Sequence, residues 1–424
     1  MTRADRAALA SLALGSAAFA AVRWAAHRPP GARALPYLVG HALLALCALA
    51  ACAYVAWRHD PRRALRAVLV GAIVLRFALL TVAPFTTTDV ARYLWDGAVA
   101  NAGFDPYALP PIAAELAGLR ASFPPPLDHP DVATCYPPLA LALFCAAAAF
   151  GARAMIAWKA LCVGASALTA WLVARACDHT NRQALAPIAL LGPVAVLEAG
   201  VGAHLDTFVA LAAVGMVLAA QRARWNVAAL CAGGVFALKI VPAVFALPVL
   251  VRAPRRVWFA ALALAPAALS FGAAELLGMT PPGSLPLVAQ HWSFGSPLWS
   301  ALYARFPFDD EAIRAGLAAA GLLSIALISL PRRDIAHSTR DAMGLSLAVS
   351  PVVYPWYGTS LASVIALAPS AWAALALLAA PLSYEVIDAY QSRGVWSPAR
   401  WPMDALALLV GLGLAVDLWR RRAR

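Results

Sequence analysis

Charge is scarce in this 424-residue chain. Asp, Glu, Lys and Arg together make up 13% of it, where a soluble domain carries roughly 25%. With 62% hydrophobic residues, that shortage leaves no room for a large soluble domain and describes a membrane protein throughout. Lysine is nearly absent: only Lys159 and Lys239 occur, and the rest of the 33 basic residues are Arg. Cysteines are few. Cys47, Cys52, Cys135, Cys145, Cys162, Cys177 and Cys231 lie mostly inside apolar runs. Their odd number, without metal-ligand spacing, argues against a disulfide framework or a zinc site. They read as small buried hydrophobes.

What charge there is sits between apolar runs. Arg62/Arg63/Arg66, Arg222/Arg224, Arg252/Arg255/Arg256, Arg332/Arg333 and Arg420 to Arg424 form clusters, and the net charge is +12. This is the positive-inside pattern of a polytopic protein rather than a nucleic-acid footprint. Ala7 to Val22 reads as a first span, with a cleaved signal peptide as the alternative. Leu35 to Trp57 is a second, and Ala67 to Pro84 crosses back to the outer side. The chain 225–251 is too long for one span and too short for two, and 358–383 poses the same problem. Pro-broken half-helices would resolve both, and such backbone is tolerated only inside protein or beside a cavity. The expectation is an all-α polytopic transmembrane bundle of about 11–13 helices forming one integral-membrane domain over residues 1–424. Residues 85–135 form a first outer loop and 278–311 a second, with short amphipathic helices on them. Residues 384–402 are expected outside as well.

The polar stretch PFTTTDVARYLWDGAVANAGFDPY, from Pro84 to Tyr107, is the first place where acids, Arg and aromatics crowd together. Read as a helix from Asp89, it places Asp89, Arg92, Tyr93 and Asp96 on one face. Thr87 or Thr88 can cap its start and Gly103 can end it. The pattern is that of an amphipathic helix at the membrane–water boundary, with a carboxylate at its front.

Other polar residues carry two readings each. Arg76, inside the third span, pairs with a carboxylate or lipid phosphate, or snorkels to an interface. Lys239, in an apolar run beside Pro242, needs an anion or a wet cavity, or it too snorkels. Arg92 binds phosphate or pairs with Asp96. His204 and Asp206 orient a sugar or end a span. His291 is a phosphate ligand or an ordinary loop residue. Asp128, His129 and Asp131 read as a solvated turn. Tyr93, Trp95, Tyr107, Tyr136, Trp292, Tyr354, Trp356 and Tyr357 fit an interfacial aromatic belt, some of them stacking on sugars instead.

Three groups of residues, in this order, resemble the GT-C glycosyltransferases of bacterial membranes, in particular the polyprenyl-phosphate-mannose-dependent mannosyltransferases. They are Asp89 to Gly97 with Gly103 to Tyr107; Tyr136-Pro137-Pro138; and Gly202 to Asp206 with Lys239 to Pro242 and Pro355 to Tyr357. The resemblance implies many transmembrane helices, an active site on the outer face of a bacterial cytoplasmic membrane, and a sugar donor on polyprenyl phosphate. The acceptor would be a lipid, glycan or protein. The family's first-loop acid maps onto Asp89. Some members carry paired acids there; this chain has the single acid of Thr86-Thr87-Thr88-Asp89-Val90. No cofactor is called for, and a divalent metal stays an open alternative.

Transfer from a lipid phosphate passes through an oxocarbenium-like state. A base must take the acceptor proton, a task that suits Asp89. Cations must hold the departing phosphate, and Arg92, Lys239, His291 and Arg76 are the candidates. Tyr93, Asp96, Tyr136, His204, Asp206, Trp356 and Tyr357 complete the expected substrate site. The rival reading is a transporter or flippase, for which broken helices and intramembrane cations would serve equally well.

Overall fold

The structure, a computed structural model, describes residues 1–424 except 127, 307–308, 331–332 and 424. Arg332 and Arg424, assigned above to basic clusters, lie outside the described residues. Among the described residues, nine helices are long and apolar enough to cross a membrane. Four shorter apolar helices, Pro138–Ala148, Asp206–Gln221, Trp225–Leu238 and Val241–Leu250, complete the all-α bundle. The expected 11–13 spans thus resolve into nine long helices and four short ones. The only β-pairing among the described residues is an isolated bridge of Phe294 and Gly295 with Val352.

Helix starts follow local chemistry. Pro61–Ala78 begins six residues earlier than the apolar run at Ala67, because Pro61 fits the first turn and the Asp60 carboxylate accepts from Arg63 N at 3.0 Å. Helix Ala154–His179 packs on Pro61–Ala78 and on Asp206–Gln221, while Arg3–Ala26 packs on Ala34–Ala56. Basic clusters meet at shared ends: Arg252 donates to the carbonyls of Ser329 and Arg333, each at 2.8 Å. Asp89 follows the opposite end of Pro61–Ala78 from Arg62 and Arg63.

Both segments of awkward length are broken helices. Trp225–Leu238 stops, Lys239 is extended (φ −150°, ψ 130°), and a tight 3₁₀ stretch Val241–Ala246 carries Pro242. Thr359–Val364 likewise stops short of Pro369, and a new helix starts at Ala371. The freed backbone groups at this second break find side-chain partners. Arg340 donates to the carbonyls of Ala368 and Pro369 at 3.0 Å, and Asp417 accepts from Ala371 N at 3.0 Å and Trp372 N at 3.3 Å. Without water to bond to, an open break in hydrocarbon would cost several kcal/mol per unpaired group, on the order of. The restarted helix does not end at Ser383. Helical structure continues through the 3₁₀ stretch Ala380–Ser383 into Tyr384–Arg393, and Tyr384, expected in an outer segment, is buried at 3% exposure.

Arg76 takes neither of its expected roles. It is buried and donates to Ser166 Oγ at 2.8 Å, to Leu190 O at 2.7 Å and to Ala72 O at 3.0 Å. A guanidinium can be satisfied by three helix carbonyl and hydroxyl oxygens, and here it clamps spans together rather than meeting a substrate.

The acid-bearing segment forms the helix Asp89–Asn101, ended by Gly103 at φ +82° as expected. It packs within the protein rather than standing free. Tyr93 to Val99 are all buried, and the helix lies against Pro138–Ala148. Gly97 permits this contact: a Cβ there would stand 2.4 Å from the Phe144 carbonyl. On the far side Trp95 and Val99 pack on Leu116, a small core of the loop itself. The expected aromatic belt is therefore corrected for Tyr93, Trp95 and Tyr107, which are 1%, 0% and 4% exposed. Gly97→Ala is expected to destabilise the protein by roughly 1–3 kcal/mol, read as a lower unfolding midpoint in detergent. Gly164→Ala, with open space around its Cβ, is the control and should be neutral or better.

Candidate active site

A cavity of about 780 Å³ lies where loops 85–135 and 278–311 meet the helix break at Lys239 and the irregular segment 350–357. The loops hold one another. Asp105 accepts from Thr280 N at 2.9 Å and Thr280 Oγ1 at 2.6 Å, and Ser284 Oγ donates to Ala133 O at 2.6 Å. Of the residues singled out in the sequence, Asp89, Arg92, Tyr93, Tyr136, Asp206, Lys239, His291, Trp356 and Tyr357 line this cavity. His204 stands directly behind Asp89, and Asp96 faces away from the cavity lining.

Asp89 opens its helix, with its backbone N–H donating to Thr87 Oγ1 at 3.1 Å. Its carboxylate reaches the cavity with the side chain 30% exposed, while Oδ2 lies 3.5 Å from His204 Nδ1. Burial pushes the Asp89 carboxyl up. His204, the Lys239 charge and a hydrogen bond with Thr87 more than offset that, so its pKa lies below the ordinary 3.8. Asp89 is therefore ionised at neutral pH.

His204 owes its place to a chain reversal. The helix Pro193–Gly200 ends, and the chain turns back so that His204 N–H donates to Glu198 O at 3.0 Å. Two residues make the turn possible. Ala203 adopts φ +49°, a left-handed conformation that costs a non-glycine residue on the order of 1 kcal/mol or more. At Gly202 a Cβ would stand 2.5 Å from the His204 ring and 2.8 Å from Glu198 Oε2. The imidazole, fully buried, then sits between two carboxylates: Asp89 on Nδ1 and Glu198 Oε2 on Nε2, each at 3.5 Å. Trp356 stacks on its face with ring centroids 4.0 Å apart.

The cations that line the cavity carry partners. Lys239 Nζ donates to both oxygens of Asp206 at 2.8 and 2.7 Å and sits 4.2 Å above the Tyr357 ring. The helix break at Lys239 brings it to the first turn of Asp206–Gln221, so it does not snorkel. Arg92 bonds Asp96 at 2.8 Å and Val132 O at 2.7 Å, tying the acid helix to the end of its loop. Asp96 is 2% exposed, and burial raises its pKa against the pull of Arg92. It is the partner of Arg92, and its place behind that side chain corrects its expected contact with substrate. His291 ends the helix Leu285–His291 and lies exposed at the cavity rim. Among the described residues no three His, Cys, Asp or Glu side chains are grouped to hold a metal ion.

The remaining aromatics gather here rather than in a belt. Tyr354 stacks on Trp356 at 4.4 Å, and Tyr136 packs edge-on against Tyr93 at 5.1 Å. Asp128 is more than part of a solvated turn. It accepts from Thr88 Oγ1 at 2.5 Å and from Tyr390 OH at 3.1 Å, bridging the acid loop to a distant helix, and His129 lines the cavity beside Trp292. Glu198 and Tyr384 were missed. Glu198 is fully buried and its Oε1 accepts from Tyr384 OH at 2.6 Å. A carboxylate in an otherwise apolar helix was the one available signal for Glu198. Nothing local pointed to Tyr384, which lies 186 residues away.

Residues 6–256 match the family model MptA_B family, described as alpha-(1->6)-mannopyranosyltransferase, N-terminal domain. The matched stretch includes Asp89, Glu198, His204, Asp206 and Lys239. A comparison with curated proteins and one with solved structures find no match.

Removing Lys239 leaves the charge of the buried Asp206 alone. Lys239→Met is expected to cost about 2 kcal/mol or more in detergent unfolding. Adding Asp206→Asn should recover most of that loss, because the stranded charge is then gone.

Proposed function

The chain belongs to the MptA_B family of alpha-(1->6)-mannopyranosyltransferases, and we propose that it transfers a mannose-like hexose, or a pentose, from a polyprenyl-phosphate donor. The acceptor is extracytoplasmic, the reaction inverts the anomeric centre, and the enzyme resides in a bacterial cytoplasmic membrane with its cavity facing outward. The observation that carries this reading is Asp89: an ionised carboxylate at the edge of a large cavity, with a buried imidazole 3.5 Å behind it.

Each chemical task has a group in reach. Asp89 takes the acceptor hydroxyl proton as that oxygen attacks the anomeric carbon from the side opposite the phosphate. The C–O bond to phosphate breaks, and the phosphate leaves with its electron pair. Lys239 lends its remaining N–H, and His291 and Arg92 stand at the same cavity. The aromatic faces of Tyr354, Trp356 and Tyr357 suit a sugar ring. Ile240, Val241, Pro242, Phe245 and Val288 give the cavity an apolar wall that suits the first isoprene units. The match to a mannosyltransferase family favours an enzyme over a transporter.

In membranes supplied with a polyprenyl-phosphate sugar, Asp89→Asn is expected to lower the transfer rate by about 10²- to 10⁴-fold. Wild-type transfer by that variant sinks the assignment. The pH dependence has a definite sign. The depressed pKa of Asp89 keeps its base form present at all higher pH, and that form is lost only as pH falls through a value below 3.8. Protonation of Asp89 therefore makes no contribution to any change in transfer rate between pH 7 and pH 5.

A further inference from the structure

We propose that Glu198, anchored by Tyr384, is a positioning residue that turns His204 into the proton acceptor behind Asp89. The proposal rests on Asp89 as the base. Four observations converge on it. Glu198 and His204 are both fully buried, and Glu198 Oε2 lies 3.5 Å from Nε2. Among the described residues neither ring nitrogen has a full hydrogen bond, and neither does Glu198 Oε2. The other carboxylate oxygen is fixed by Tyr384 OH at 2.6 Å, and Tyr384 belongs to a helix far away in the chain. Finally, the turn that creates the array is strained at Ala203 and needs the missing side chain of Gly202. Backbone strain and unsatisfied buried polar atoms occurring together in one turn beside a cavity motivate a functional reading of that turn.

The relay uses one tautomer of His204. A proton on Nε2 faces Glu198 and leaves the Nδ1 lone pair facing Asp89 Oδ2. The other tautomer, with the proton on Nδ1, donates toward Asp89 Oδ2 across the same 3.5 Å and is the form that lowers the Asp89 pKa. The relay starts from the Nε2–H form. When the acceptor oxygen forms its bond to the anomeric carbon, its O–H bond breaks and the proton moves to Asp89 Oδ2. That O–H then donates to Nδ1, and the proton crosses to the ring. The result is an imidazolium between two carboxylates, with Asp89 ionised again. The proton returns through Asp89 to water in the cavity when products leave. No oxidant or further reactant is needed. The charged groups around His204 are Asp89 from the acid helix, Glu198 from the preceding helix and the Asp206–Lys239 pair beyond them. Tyr384 and Tyr37 pack on the Glu198 side, and Trp356 covers the ring.

The test compares wild type, Glu198→Gln, Glu198→Asp and Tyr384→Phe as full-length protein in membranes. Transfer from polyprenyl-phosphate mannose is measured across pH, and unfolding in detergent is followed in parallel. Glu198→Gln keeps the acceptor for Tyr384 but removes the carboxyl group. It is expected to lower kcat about 10- to 100-fold, to leave the donor KM unchanged and to alter the shape of the pH profile. Glu198→Asp, which restores a carboxylate, should recover part of the rate and the wild-type profile. Tyr384→Phe should give a smaller loss of the same kind. The proposal is overturned if Glu198→Gln has wild-type kcat, or if its loss of rate comes with an unchanged pH profile or in step with lost folded protein. Asp89→Asn, run alongside, separates the two readings. Full activity there removes the base itself, whereas an inactive Asp89→Asn with a normal Glu198→Gln removes only the relay.

Discussion

A backbone or charged group inside a bilayer has no water to fall back on, so each must find its partner within the protein. The cations buried in the bundle obey this without exposing themselves. Lys159 donates to the carbonyls of Leu79, Leu80 and Val82 where a span ends. Arg76 joins three helices' worth of oxygens, and Arg182 meets Leu367 O while Arg340 covers Ala368 and Pro369 at a break. Arg340 also pairs with the Asp341 carboxylate, whereas the contacts given for Lys159, Arg76 and Arg182 are to carbonyl and hydroxyl oxygens. Carbonyl oxygens freed at helix ends and breaks do the work, so the breaks and the buried cations stabilise one another.

Against that background the array at Asp89 stands apart. There the bundle places two carboxylates around one imidazole and leaves its nitrogens short of hydrogen bonds. An unsatisfied buried polar atom costs about 1–3 kcal/mol. The strained Ala203 adds to that cost. A fold that satisfies its other deep cations so thoroughly tolerates this deficit where a cavity and a reactive group meet. The neighbouring Lys239–Asp206 pair, by contrast, is tightly bonded and shares the cavity wall. Its charge is largely neutralised in place. The lysine acts as a local dipole with one spare donor rather than as a bare cation.

The cavity is built by distant parts of the chain. The acid helix is pinned to Pro138–Ala148 through Gly97. The second loop closes over the first through Asp105 and Thr280. Asp128 joins Thr88 to Tyr390. Such cross-links make the position of Asp89 depend on helices that never touch it. They also tie Arg92 and Asp96, which share a helix face with Asp89, into the scaffold. Arg92 spends its donors on Asp96 and on Val132 O.

The sequence by itself determined the all-α membrane class, the two broken helices and the polar helix starting at Asp89. Composition, apolar run length and Pro placement are local properties, and hydrocarbon leaves few ways to satisfy them. It also supplied most of the cavity's polar lining, because acids and cations are rare enough in such a chain to be conspicuous. Only the tertiary structure decided how those groups pair. Arg76 reads as functional in sequence and folds into a clamp. Asp128 reads as a turn and becomes a bridge. Tyr384 gives no local signal and yet reaches Glu198. Pairing depends on which faces of separate helices meet, and the spacing of residues along one helix carries no information about the helix packed against it.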